Sequence, residues 1–159
     1  MLHGHGTRER QLWGPPMAGQ PPVLQDLIGR RYRCLSCGAV IVVVPRPLLA
    51  RRRYGASAIA CALALWGLGL GTEEAVRRAV NPAGIVGDAA ATTWATLRRW
   101  ALAVRERRLF PQVPLPAAGS TLRQVAASAA AALAGQAGPA SRAWPLEARA
   151  FVGGALAAR

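Results

Sequence analysis

Arg30 to Arg53 reads RRYRCLSCGAVIVVVPRPLLARRR, and the reading of this stretch decides the fold. It holds a Cys34-Leu-Ser-Cys37-Gly38 turn, a short apolar strand and basic residues on both flanks. In a CxxC turn two thiolates point at one metal, and a following Gly lets the backbone fold beneath the sulfurs. Ala39 to Val44 is a continuous apolar run, β-branched at most positions, and reads as a buried strand stopped by Pro45 and Pro47.

Upstream, residues 2–13 alternate and carry no helix signal, so they read as a strand or hairpin arm. Gly14-Pro15-Pro16 and Gly19-Gln20-Pro21-Pro22 break the chain twice. Val23 to Arg33 resumes as a second strand. His3 and His5 stand two apart and would share a strand face. They are the only His partners for Cys34 and Cys37 in a four-ligand zinc site. The competing reading makes them ordinary strand residues beside an incomplete site. A redox role for the CxxC fits less well, because no βαβ pattern surrounds it.

Charge adds a second constraint. The chain carries 20 cationic residues, all arginine, against seven acids, a net +13. GC-rich coding explains arginine in place of lysine, but not the shortage of acids. The excess is concentrated in residues 30–108, and such a field favours a polyanion, usually nucleic acid. Three cysteines exclude a disulfide framework. No secretory signal opens the sequence, so a cytoplasmic location is expected.

His3-Gly4, Arg8 and Arg10, a Pro/Gly-broken hairpin and then Arg31-Tyr32-Arg33-Cys34-x-x-Cys37-Gly38 resemble the N-terminal zinc ribbon of bacterial insertion-sequence transposases. In that family a first CxxC precedes the "HG" strand, and a helix-turn-helix follows the ribbon. Here Met1 stands at the "HG" strand, so the first knuckle has no counterpart. The resemblance implies either a start codon placed too far downstream or a decayed copy. The resemblance implies zinc held by Cys34 and Cys37 and covers roughly residues 2–110.

Downstream the pattern turns helical. Ser57 is placed to cap a helix running to about Leu68, apolar on nearly every side, and thus central to a bundle or membrane-seeking. Its apolar run, 56–71, falls short of the roughly 20 residues a spanning helix needs. Thr72-Glu73-Glu74 starts a second helix that ends near Val80. A third is expected from Asp88 to about Arg105, with Trp94, Leu97, Ala101 and Val104 on its apolar face. Thr92, Thr96 and Arg99 lie on the other side, with Arg98 beside them and Thr93 near the start. As a recognition helix, this one would meet base edges near its start while Arg51, Arg52, Arg53, Arg98 and Arg99 held phosphates. The bland alternative gives Arg98 and Arg99 a solvated face and Trp94 and Trp100 a place in the core. The Val80–Asp88 connection is also longer than an ordinary helix-turn-helix turn.

Phe110 to Pro116 reads as a Pro-containing linker. Ser120 opens an Ala-rich helix to about Ala134, and a last helix, interrupted at Gly153-Gly154, runs from Leu146 to Ala157.

The expected fold is α+β and mainly α. A partial zinc ribbon spans 1–47, a helix-turn-helix-like helical domain 48–110, and a linker with an Ala-rich helical or partly disordered tail 111–159. The expected function is DNA binding, transposase-related and without a catalytic domain. DNA is the partner, a homodimer is allowed, and no small-molecule substrate is expected. An enzyme is not expected, because the seven acids form no carboxylate triad for two metal ions and both histidines fall in the first five residues. The alternatives are a small membrane-associated protein using helix 56–71 and a non-functional remnant of a mobile element.

Overall fold

The computed structural model describes residues 1–45, 48–84 and 94–158. Its fold is α+β: a three-stranded antiparallel meander, β1 (Leu2–Gly14), β2 (Val23–Cys34) and β3 (Val40–Val43), followed by helices. These are α1 (Ala56–Gly67), α2 (Glu73–Val80), α3 (Ala95–Arg105), α4 (Leu122–Gln136) and α5 (Leu146–Ala157), with a short 3-10 turn at Pro139–Ser141.

The helices form the core. Ile59, Leu63, Val76, Val80, Leu97, Val104, Val125 and Leu133 are all buried in one apolar cluster that runs on to Ala157 and Ala158. α1 is its centre, buried from Ala56 to Ala64 and again at Trp66. Its apolar surround is therefore explained by helices on several sides. Among the described residues no helix is long and apolar enough to cross a membrane.

The C-terminal segment belongs to this core. Leu109, Phe110 and Val113 of the Pro-containing stretch are buried. α4 and α5 pack on α1 through small residues. A Cβ on Gly153 would stand 1.8 Å from the Leu133 carbonyl oxygen. One on Gly154 would stand 2.5 Å from Cβ of Ala60, and one on Gly67 2.4 Å from the Ala127 nitrogen. The Gly153-Gly154 pair, expected to interrupt α5, is instead where the helix backbones close on one another. The alanines gain burial because the helices are this near. Arg123 fastens the packing by donating to the Trp66 carbonyl, 2.9 Å away.

Side-chain caps set the starts of α2 and α4. Thr72 accepts from the Ala75 amide, as expected for the start of α2. α4 starts one residue later than expected, with Thr121 and Gln124 forming a reciprocal capping box. α1 begins behind Gly55 without a side-chain cap, so Ser57 is not its cap.

The sheet stands apart from this packing. The far end of β1 is built into the bundle: Leu12 is buried, Trp13 donates its amide to the Arg53 carbonyl at 2.8 Å, and the Gly55 amide donates to the Trp13 carbonyl at 3.2 Å. Tyr54 meets Trp13, Trp94 and Trp100 edge-on, with ring centroids 5.0–5.8 Å apart. These aromatic contacts join strand to helices. β3 is exposed along its whole length. The expected buried strand is therefore corrected: among the described residues the sheet is a single layer, and β3 stays exposed.

Candidate nucleic-acid interface

Strand alternation sorts the sheet's side chains. β1 and β2 pair Arg8 with Gly29 and Arg10 with Leu27; β2 and β3 pair Arg31 with Val42 and Arg33 with Val40. Gly29, Arg31 and Arg33 are odd-numbered neighbours on β2, so Arg8, Arg10, Arg31 and Arg33 share one face. A Cβ on Gly29 would touch Cγ1 of both Val42 and Val44, which fixes the same face on β3. A groove there is lined by Arg8, Arg10, Val42, Val44, Leu48, Ala50 and Arg51.

Arg10 is a positioning residue. Its Nη2 donates to the carbonyls of Leu49 and Arg52, at 3.1 and 3.0 Å, and holds the 48–53 segment against the sheet. Arg8, Arg33 and Arg51 are exposed and Arg31 half-buried. Arg51 is held in the left-handed region, φ 59°. Burial first, then repulsion from Arg108, lowers the pKa of Arg52. Arg108, just beyond α3, is itself paired with Glu106. Arg53 lies over the Trp13 ring, 5.4 Å from its centroid. Of the three arginines expected to act together, only Arg51 lines the groove.

On α3, Arg98 and Arg99 are exposed and Thr96 is half-buried. Arg98 stands 3.7 Å from Glu73, whose other carboxylate oxygen accepts from the Trp94 amide at 2.7 Å. Glu73 thereby ties the start of α2 to the start of α3. Trp100 is buried and Trp94 half-buried, so both serve the core and its rim. Asp88, Thr92 and Thr93 lie outside the described residues.

The backbone of the Cys34–Gly38 segment forms a turn. Gly38 takes a φ of 74°, its amide donates to the Cys34 carbonyl at 2.9 Å, and the Cys34 amide donates to the Ala39 carbonyl at 2.8 Å. The amides of Cys37 and Ser36 donate to the Cys34 sulfur and lower its thiol pKa. Cys34, Cys37 and Cys61 are all free. The histidines do not complete the turn. His3 pairs with Arg33, whereas Cys34 pairs with Leu2, so His3 and Cys34 face opposite sides of the sheet. The register also slips between Gly4 and Thr7, breaking the alternation that His3 and His5 relied on. Among the described residues no three His, Cys, Asp or Glu side chains converge on a metal position. The expected set Cys34, Cys37, His3 and His5 therefore does not fit zinc as one site.

Arg8, Arg31 and Arg33 were outside the expected contact residues, although a signal for them was present. Arginines two apart on a strand point the same way, at 8 and 10 and again at 31 and 33. The chain matches no protein-family model, no curated protein and no solved structure.

Proposed function

We propose that the chain binds duplex DNA, with the arginine face of the sheet as its main contact and α3 as a second. The observation that carries this reading is the gathering of Arg8, Arg31, Arg33 and Arg51 on one side of a projecting sheet. Both acids of the sheet, Glu9 and Asp26, pair into the opposite face. A two-stranded β-ribbon fits the major groove, and guanidinium groups pair with phosphate in two-pronged fashion. Arg98 and Arg99 on α3 supply further phosphate contacts, with Thr96 near the helix start. The relation to transposases rests on the motif text from His3 to Gly38 and on a meander, with the thiol turn between β2 and β3, followed by helices. The chain has no catalytic role in this reading.

Fluorescence anisotropy with a labelled duplex across a salt series tests it. Four to six phosphate contacts give a log K against log salt slope of about −4 to −5. Arg31→Ala with Arg33→Ala weakens binding at least about tenfold and makes the slope shallower by about 2. Arg98→Ala with Arg99→Ala has a smaller effect. Salt-independent binding, or no binding at low salt, contradicts the proposal.

A further inference from the structure

The first turn of α1 borders a cavity of about 250 Å³ at the seam between sheet and bundle. Three segments enclose it: the end of β1 with Pro15 and Pro16, the start of α1, and Phe151 and Ala155 of α5. Leu12 and Gln25, which also line it, are paired across β1 and β2. They therefore continue the sheet face that carries Arg8 and Arg10. Gly14 lets the strand end press on the helix, since a Cβ there would stand 2.6 Å from Cβ of Ala58.

The helix start is short of acceptors. The amides of the second and third helical residues, here Ser57 and Ala58, are the ones that a capping side chain takes. The N-cap is Gly55, which has no side chain to offer, and no acid stands in the first turn. Among the described residues neither amide finds an acceptor. Ser57 adds a third donor. It is 8% exposed, lines the cavity, and its hydroxyl makes no hydrogen bond with the described residues. Buried hydroxyls ordinarily have a partner. Unlike the indole nitrogen of Trp13, which is sealed off, this oxygen keeps contact with the cavity.

We propose that the cavity binds a small monocarboxylate with an apolar body. The carboxylate takes the place of the missing cap, accepting from the Ser57 and Ala58 amides and from the Ser57 hydroxyl. The positive end of the α1 dipole favours its charge, as do the arginines further along the same sheet face. No acid lines the cavity to oppose it. Leu12, Pro15, Pro16, Phe151 and Ala155 cover the body. A free phosphate would also be drawn to the helix start, but it would leave these apolar walls without a partner. The volume lies below the roughly 300 Å³ at which sites for drug-sized ligands begin, so the ligand is small. This site is independent of duplex binding.

The test uses the full chain with hexanoate and benzoate as probes. Hexan-1-ol and benzyl alcohol supply the same bodies without the charge, and inorganic phosphate supplies charge without the body. Titration calorimetry reads the affinity, and amide chemical shifts read the place. The carboxylates are expected to bind at least about tenfold more tightly than the alcohols or phosphate, and the Ser57 and Ala58 amide signals move on saturation. Ser57→Ala weakens carboxylate binding at least about fivefold. Gly55→Asp supplies the cap from the chain itself. The φ of −66° at Gly55 suits a side chain, whose Cβ would meet the flexible end of Leu12. This variant melts at a higher temperature without probe and binds the carboxylates at least about tenfold more weakly. Equal binding of alcohol and carboxylate, no carboxylate binding, or shifts confined to the arginines' sheet face overturns the inference. Unchanged affinity in folded Gly55→Asp overturns it as well.

Discussion

The helical bundle and the sheet spend apolar residues in opposite ways. In the bundle even alanine and glycine are buried, because helix backbones meet at Gly67, Gly153 and Gly154. In the sheet, isoleucine and valine stand in solvent. Burial of apolar area is the main stabilising term, so folding stability resides in the bundle. The sheet's backbone hydrogen bonds keep its shape while much of both faces stays exposed, one cationic and partly lined by the 48–53 segment, one apolar. An element that contributes little burial within its own chain is free to present contacts to others.

Substitutions in the two regions should therefore differ sharply in cost. The largest effect is expected for Gly153→Val. Its Cβ would overlap the Leu133 carbonyl, and overpacking of this kind costs about 3 kcal/mol or more. Urea denaturation, or loss of the folded protein, checks it. Leu63→Ala, at a fully buried site on α1, should cost about 2–5 kcal/mol in the same assay.

The junction between the regions responds to pH. Burial pushes Tyr54 up to about 12, against the opposing pull of Arg77 and Arg53. Burial first, then the charge of Glu147, pushes Cys61 up to about 12. Both groups are neutral when protonated and have folded pKa values above their ordinary 10 and 9. Their contribution is thus whole below pH 9 and is lost as pH rises toward 12. Tyr54→Phe should flatten the part of that decline above pH 10 in melts recorded from pH 8 to 12. The difference will be smaller than the full shift implies, because solvent reaches part of the ring. A decline unchanged in Tyr54→Phe contradicts the assignment.

The smallest effect belongs to the sheet. Ile41→Ala should change stability by about 0.5 kcal/mol or less. A loss comparable to Leu63→Ala would mean that the apolar face is covered within the chain.

Much of this was legible in the chain. The Thr72 cap, the Asn81-Pro82 stop and the Leu97, Ala101, Val104 spacing placed α2 and the body of α3. The Pro/Gly breaks separated β1 from β2, and Cys34 to Gly38 announced its own turn. Other features were hidden because they depend on what packs over a segment. An apolar run of strand length does not say whether a second layer covers it, so β3 read as buried. Alanine-rich sequence does not reveal backbone approach, so α4 and α5 read as a loose tail. Spacing alone joined His3 and His5 to the thiols, whereas register and the slip after Gly4 separate them. The arginine groove needed the β1–β2–β3 register, which no single strand carries.

Hydrogen exchange of the full chain with and without a saturating DNA duplex tests the division of labour most directly. The account predicts slowed exchange in β2, β3 and the 48–53 segment, a weaker effect in α3, and none in α4 or α5. Protection confined to α4 and α5, with the sheet unchanged, would contradict it.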